Sequence, residues 1–582
     1  MKRIYLFYLI GLSFILQACS ELDQLPTDSI DPSIYFKTEN DLKLYTNSFY
    51  GMLPSGEGVY DESVDNIIKS SIPSEIQGTR SVPTSGGGWS WGNLRNINFY
   101  LERSGNCPDE KARNRYDAVA RFFRAYFYFD MVKQFGDVPW YDKVITETDS
   151  EALTKPRDSR TVVIDNILTD LEFAIANLPE KKTPNEISKW TALALKSRIC
   201  LFEGTFRKYH TEFKLSGAEA LLDKSIEASG ILIQKSGYSI YSTGKPESDY
   251  LNLFASIEPI ENEVILARNF SDGLQVYHNV NYYTMTASYG KPGLEKRLVN
   301  SYLMKDGSRF TDKAGYATMF YTDEVKDRDL RLSQTIRTPG YTRIGETDTL
   351  VPEFGSTVTG YQLIKFVAGR QYDTYNKACN AMPIFRYAEI LLNYAEAKAE
   401  RGNLTQQDID NSIKLLRDRV GMPNLNLSVA NATPDPYLAN LYKSVSGTNK
   451  GVILEIRRER GIELVMENFR WDDIMRWKAA SVFAEQFKGM YFPSVGGFDL
   501  DGDSKPDVCI YESTKPDLGN IQYLKLNSDI KLENGKSGNI VVNPQIKKKW
   551  NENKDYLYPI PIQERLLNKN LTQNPGWEDG VE

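Results

Sequence analysis

Apolar residues recur at helical spacing through much of the first and last parts of the chain. Tyr116, Val119, Phe123 and Phe127 fall on one face of a helix that starts near Asp109 and ends at Gly136 and Pro139. Val163, Ile167, Leu171, Ile175 and Leu178 mark a second helix, stopped by Pro179. Ser188 is placed to cap a third, which carries Leu195, Ile199 and Phe202 and is expected to end at Gly204. Leu221, Ser225, Ala228 and Leu232 define a fourth, ending before Gly237. From about Tyr238 to Ala381 the helical pattern fades and Gly, Pro, Thr and Tyr become frequent, which predicts long loops and short strands carried on a helical scaffold. Such loops are where binding residues concentrate. Helical spacing returns from Arg386 to Arg401, with Ile390, Leu391, Tyr394 and Ala395 on one face and Gly402 at the end. Thr405 and Asp408 are spaced as a capping box ahead of Ile409, Ile413, Leu416 and Val420, and a further helix runs from Gly451 toward Asn468. Recurring short helix pairs resemble tetratricopeptide hairpins, although their spacing is irregular.

The first residues point to a compartment. Lys2 and Arg3 precede a run from Ile4 to Leu16 that is apolar apart from Ser13. That length suits a secretory signal and is too short to span a bilayer. Leu16-Gln17-Ala18-Cys19 follows, resembling a lipoprotein signal in which Cys19 is lipidated and becomes the first mature residue; the alternatives are an ordinary signal peptide with an incidental cysteine and a short amphipathic anchor. Ser20 to Pro32 is polar and acidic and reads as a flexible tether. No other stretch is long and apolar enough to cross a membrane. A lipid-anchored chain is therefore expected, and the acidic residues after Cys19 resemble the signal that sends some lipoproteins to the outer face of the cell.

Composition narrows the function classes. A net charge of −7 argues against nucleic acid, whose binders need a basic footprint. Two histidines leave little room for a His-based metal site or a Ser-His-Asp triad; His210, in a polar stretch, reads as solvated, and His278 beside Tyr277 is a weak site candidate. Cys107, Cys200, Cys379 and Cys509 lie far apart without a CxxC spacing, so neither a zinc site nor a dense disulfide framework is expected, and Cys200 reads as a buried free thiol. The 35 tyrosines and 8 tryptophans raise the prospect of an aromatic binding surface, although many must be core.

Four segments, in order, resemble the SusD/RagB family: Arg121-Phe122-Phe123-Arg124-Ala125-Tyr126-Phe127-Tyr128-Phe129-Asp130 with Phe135-Gly136-Asp137-Val138-Pro139; Arg386-Tyr387-Ala388-Glu389-Ile390-Leu391-Leu392-Asn393-Tyr394-Ala395-Glu396-Ala397; Ile456-Arg457-Arg458-Glu459-Arg460-Gly461-Ile462-Glu463-Leu464 continuing to Arg470-Trp471-Asp472-Asp473-Ile474-Met475-Arg476-Trp477; and Tyr558-Pro559-Ile560-Pro561, closing on Asn574-Pro575-Gly576-Trp577. The resemblance implies a mainly α fold, with tetratricopeptide-like helix hairpins as scaffold and long loops and short strands around them. It implies a non-enzymatic protein that captures glycans, or in some members peptides, and delivers them to a SusC-like TonB-dependent outer-membrane transporter. The chain then divides into a signal peptide (1–18), a lipidated cysteine and tether (19–32), a helical N-terminal region (33–240), a loop-rich region (241–381) and a C-terminal region (382–582). The charges of these motifs, Arg457-Arg458-Glu459-Arg460 with Glu463 among them, read as ion pairs on a solvated helix surface, scaffold rather than site.

A separate motif carries metal chemistry. Asp499, Asp501, Asp503 and Asp507 alternate around Gly502, with the backbone carbonyl of Lys505 as a further oxygen. An oxygen-rich set of this kind suits calcium, and its spacing resembles short integrin-type loops more than an EF-hand, because no glutamate falls at the twelfth position. The alternative is an acidic surface turn.

For ligand contact, Gly86-Gly87-Gly88-Trp89-Ser90-Trp91-Gly92-Asn93 stands out. The family resemblance implies a glycan-binding aromatic ahead of this helix, which carries over to Trp89 or Trp91. Asp65 and Arg80 are weaker candidates for a polar flank, and Tyr282, Tyr283, Tyr316 and Tyr321 for an aromatic arc; each aromatic has core packing as its alternative. A glycoside hydrolase needs only two spaced carboxylates, and no motif points to such a pair.

Overall fold

Helix ends follow the capping chemistry that the sequence carries. The computed structural model describes residues 35–57 and 62–581. Thr38 and Asp41 form a capping box at the start of α1 (Glu39–Asn47). After α2 (Gly92–Arg103), the Asp109 side chain accepts the Ala112 N–H and opens α3 (Glu110–Phe135), which closes at Gly136 in a positive-φ conformation. Ser159 caps α4 (Arg160–Asn177), and Ser188 caps α5 (Lys189–Tyr209) with a second capping box. α6 (Ala218–Lys235) and α7 (Tyr387–Arg401) follow, the latter ending on left-handed Gly402. The Thr405–Asp408 capping box opens α8 (Gln406–Asp410), and the chain breaks at Asn411 and Ser412 before α9 (Ile413–Arg419), so the single expected helix is two. α10 (Lys450–Glu463), α11 (Arg470–Arg476) and α12 (Ile562–Leu567) complete the helices used below.

α5 does not stop at Gly204 as the sequence predicts. It continues to Tyr209, and Gly204 is a packing residue: a Cβ there would stand 2.9 Å from Leu222 Cγ, so its absence lets α6 approach. α3 packs on α4, α5 on α6, α6 on α7 and α7 on α10, burying the apolar faces in one large core and a small satellite cluster of Leu201, Leu222 and Ala397.

The loop-rich middle is as expected: short helices and turns, with β1 (Val264–Arg268) pairing antiparallel to β2 (Met382–Arg386). A cluster of strands in the C-terminal part was not legible in the periodicity. β3 (Lys488–Phe492) pairs with β7 (Gly538–Val541), while β4 (Gly496–Phe498), β5 (Val508–Tyr511) and β6 (Gln522–Lys525) form a three-stranded sheet whose β5–β6 pair is parallel. The Asp499–Asp507 segment is the β4–β5 connection.

The charged motif of α10 corrects the expectation of a solvated face. Arg457, Arg458, Glu459, Arg460 and Glu463 are all buried. Glu463 accepts from Arg386 and Arg331 at 2.9 and 3.0 Å and also pairs with Arg419; Glu459 accepts from Arg331 and Arg417 at 2.6 and 2.9 Å. Buried charges are tolerated when they are paired, and the partners of these two glutamates come from the strand leading into α7, from α9 and from the middle region. The Arg457 guanidinium makes no hydrogen bond among the described residues and lies 3.5 Å from Glu400 among the rings of Tyr209, Tyr442 and Trp477. Asp473 binds Arg460 and Arg476, and Asp472 binds Lys133 of α3 at 2.9 Å. His210 is likewise buried rather than solvated: Nε2 lies 2.7 Å from the Met475 carbonyl and the ring stacks on Phe206. The four described cysteines are buried and free, as read for Cys200, whose thiol burial pushes up to about 12.

Candidate functional site

Gly86, Gly87 and Gly88 all adopt positive φ, at 73°, 58° and 88°. Left-handed backbone at all three favours glycine, and a Cβ would come within 2.5 Å of the Gln134 side chain of α3 at Gly88 and within 2.7 Å of Pro83 at Gly87. The turn delivers two tryptophans with different surroundings. Trp89 is 6% exposed and stands edge-to-face on Phe135, centroids 4.9 Å apart. Trp91, at the N-cap of α2, is half-buried; Trp89, Phe127 and Tyr141 hold it at centroid distances of 5.3, 5.7 and 5.6 Å.

Both rings line a cleft of about 450 Å³ between the start of α2, the 139–153 segment and α12. A volume of this size falls in the range of small-ligand sites. Tyr141 walls it, its hydroxyl donating to the Ala152 carbonyl at 3.0 Å and its pKa pushed up to about 12 by burial and by Asp158. Arg95, Lys143, Glu147 and Glu564 supply charge, and burial lifts the Glu564 carboxyl above the usual range. Leu153 and Leu567 form part of the rim. Sequence reasoning missed Tyr141, Glu564 and both leucines. The one available signal was the Leu566-Leu567 pair shortly after Tyr558-Pro559-Ile560-Pro561, too apolar for an exposed helix end.

The polar flank falls elsewhere. Asp65 is buried, with its two carboxylate oxygens each 2.7 Å from Arg470; burial opposes its ionisation, and the Arg470 guanidinium overcomes this and holds the pKa low. The Arg80 side chain is 5% exposed, donates to the Asp555 carbonyl and packs over Tyr558 at 4.5 Å. Neither lines the cleft, and both serve the interior. Tyr321 is fully buried, its hydroxyl donating to the Arg337 carbonyl, so it is core and not part of an arc. Tyr316 is half-buried against Phe310. Tyr282 and Tyr283 belong to a second aromatic group: Tyr283 stacks on Tyr289 at 4.2 Å, and Tyr282 meets the 55%-exposed Tyr375 edge-on at 5.5 Å. His278 is buried, its Nε2 3.1 Å from the Asn380 carbonyl.

Asp499, Asp501 and Asp507 bring one carboxylate oxygen each to within 4.8 Å of one another, an arrangement able to hold a metal ion. The loop is pre-shaped: Asp499 accepts the Asp501, Gly502 and Ser504 N–H groups, and Asp507 accepts that of Leu500. Partial burial opposes ionisation of Asp499, but those N–H groups hold its pKa low; burial, and then the neighbouring aspartates, push that of Asp507 up. Asp503 stands outside the trio and pairs with the Lys505 ammonium at 3.0 Å. Cys19 lies outside the described residues.

Residues 262–577, more than half of the chain, match the SusD family, and residues 91–201 match a family described as starch-binding and associating with the outer membrane. A SusD-like protein of Formosa agariphila, P2, is 23% identical over 99% of this chain and all of its own length. Among solved structures, a SusD-like protein from Bacteroides fragilis superposes with a TM-score of 0.68 at 22% identity, covering 96% of this chain and 100% of that one. A SusD-like carbohydrate-binding protein from the same species gives 0.64 at 21% identity, covering 92% of this chain and 99% of its own. These structural likenesses establish the mainly helical fold. No helix among the described residues is long and apolar enough to cross a membrane.

Proposed function

The chain belongs to the SusD family, and from that premise we propose that it is a non-catalytic, surface-exposed lipoprotein that captures oligo- or polysaccharide at the Trp91 cleft and passes it to a SusC-like TonB-dependent transporter. The observation that carries the reading is the half-buried Trp91 ring, fixed on three sides by aromatics and lining a cleft of about 450 Å³. Sugar rings present an apolar face that stacks on such a ring, and a pre-held ring gives up little entropy on binding. Tyr282 and Tyr283, with Tyr289 and Tyr375, offer a second surface for a long glycan. Anchoring is assigned to Cys19, and Cys19→Ala should release the protein from the membrane fraction. Calcium is assigned to Asp499, Asp501 and Asp507, where it would pin the β4–β5 loop without taking part in chemistry.

A glycan array probed with the protein from Ser20 onward tests the reading, alongside a peptide pull-down and an assay for released sugar. Binding to at least one glycan class without turnover is expected. Peptide capture with no glycan binding would replace the ligand class, and released product would replace the binder with a hydrolase.

A further inference from the structure

The walls of the cleft say more about the ligand than that it is a sugar. Resting on the glycan-binding reading, we propose that the site selects glycans whose rings carry methyl groups, as 6-deoxy sugars and acetylated sugars do, over unsubstituted polymers. Leu567 is 81% exposed and Leu153 is 49% exposed, and both line the same cleft as the tryptophans, together with Ile145 and the buried Leu94 and Leu571. Scattered exposed leucines are ordinary; exposed leucines that share the lining of one aromatic cleft mark a contact surface.

The amide and phenol groups at the same surface are already committed. Asn98 donates to the Tyr141 and Lys143 carbonyls at 3.0 and 3.2 Å and accepts from Arg124. Asn568 donates to the Lys155 carbonyl at 2.8 Å and accepts the Asn570 N–H. The Tyr141 hydroxyl is spent on Ala152. Arg95, Lys143, Glu147 and Glu564 remain to bind hydroxyls. A hydroxyl-studded ring pressed against the leucines would lose hydrogen bonds to water without replacement, whereas a methyl group there loses none and shields Leu153 and Leu567. Peptides with aliphatic side chains share the apolar chemistry. However, none of the residues lining the cleft belongs to a β-strand whose open edge could take an extended backbone.

The test is an array of matched glycan pairs that differ in one feature: acetylated xylan and glucomannan against their alkali-deacetylated forms, and fucosylated xyloglucan against the defucosylated polymer. It is probed with wild type, Leu153→Asn/Leu567→Asn and Trp91→Ala, each checked for an intact fold by circular dichroism. The substituted member of at least one pair should bind about tenfold more tightly, the scale of one methyl in an apolar pocket. The leucine variant should lose that preference while keeping the weaker binding of the bare polymer, and Trp91→Ala should lose both. Equal or tighter binding of the bare polymers, or a preference untouched by the leucine changes, overturns the inference and leaves the glycan reading standing. Binding of leucine-rich peptides with no glycan retained overturns both.

Discussion

Trp91 stands edge-to-face against Tyr141, ring centroids 5.6 Å apart and planes at 78°. The contact joins the first turn of α2 to the 139–153 segment and fixes one wall of the cleft to the other. Trp89, two residues earlier, points its bulk at Phe135 instead and is nearly inaccessible. The two tryptophans should therefore separate by experiment. Trp89→Ala should lower unfolding stability by about 3–5 kcal/mol, the usual cost of emptying a large aromatic site, and Trp91→Ala by about half that or less. Urea denaturation of both variants checks this; equal losses would mean that the rings share one structural role.

The acidic loop gives a prediction with a built-in control. If Asp499, Asp501 and Asp507 hold calcium, EDTA should lower the melting temperature, because an ion that binds only the folded state stabilises it by about 2.7 kcal/mol at a hundred times its Kd. Asp499→Asn/Asp501→Asn should abolish the shift. Asp503→Asn should leave it largely intact, since Asp503 is paired with Lys505. Because Asp507 holds its proton to higher pH than an ordinary aspartate, calcium affinity should fall on acidification sooner than for a free carboxylate set. Differential scanning calorimetry with and without EDTA decides; an unchanged midpoint in wild type leaves the loop an acidic turn.

His278 predicts acid sensitivity. Its Nδ1 accepts the Val280 N–H at 3.2 Å and its Nε2 faces the Asn380 carbonyl, a pairing that suits the neutral ring. Burial pushes its pKa down from 6.5 to about 4. Between those values the unfolded chain takes up a proton that the folded chain refuses, so this contribution is fully present above 6.5 and is lost as pH falls to about 4. It amounts to on the order of 3 kcal/mol. Urea midpoints across that window should fall with pH in wild type and fall less in His278→Gln; parallel slopes would assign the acid sensitivity to other groups.

The buried ion network should be intolerant of half-removal. Glu463→Ala would leave Arg386, Arg419 and Arg331 short of a carboxylate in the interior, at a cost of about 3–5 kcal/mol. Glu459→Ala should behave similarly, whereas loss of the exposed Lys414–Asp418 pair should cost about 0.5 kcal/mol or less. Denaturant midpoints of the three variants test the ranking.

Much of the scaffold was legible because local chemistry and tertiary packing agree there. Asp109, Ser188, Thr405 and Gly402 announce helix ends by groups that bond within a turn. Gly204 misled because its purpose is the approach of α6, a relation with Leu222 that no local pattern contains. The α10 charges misled for the same reason: their spacing fits surface ion pairs, and only the fold brings Arg331, Arg386 and Arg419 around Glu463. At the cleft, Trp89 and Trp91 were visible as an unusual glycine-flanked pair, but Leu153 and Leu567 come from segments hundreds of residues apart and meet only in three dimensions.

Ligand binding on the Trp91 face is tested by isothermal titration of the best array glycan into wild type and Trp91→Ala. Truncating a stacked aromatic at a binding site costs about 2 kcal/mol or more, which is ~30-fold in Kd. Trp91→Ala should show a loss of that size or greater with the fold intact by circular dichroism; an unchanged Kd would instead move the site to the Tyr282–Tyr375 group.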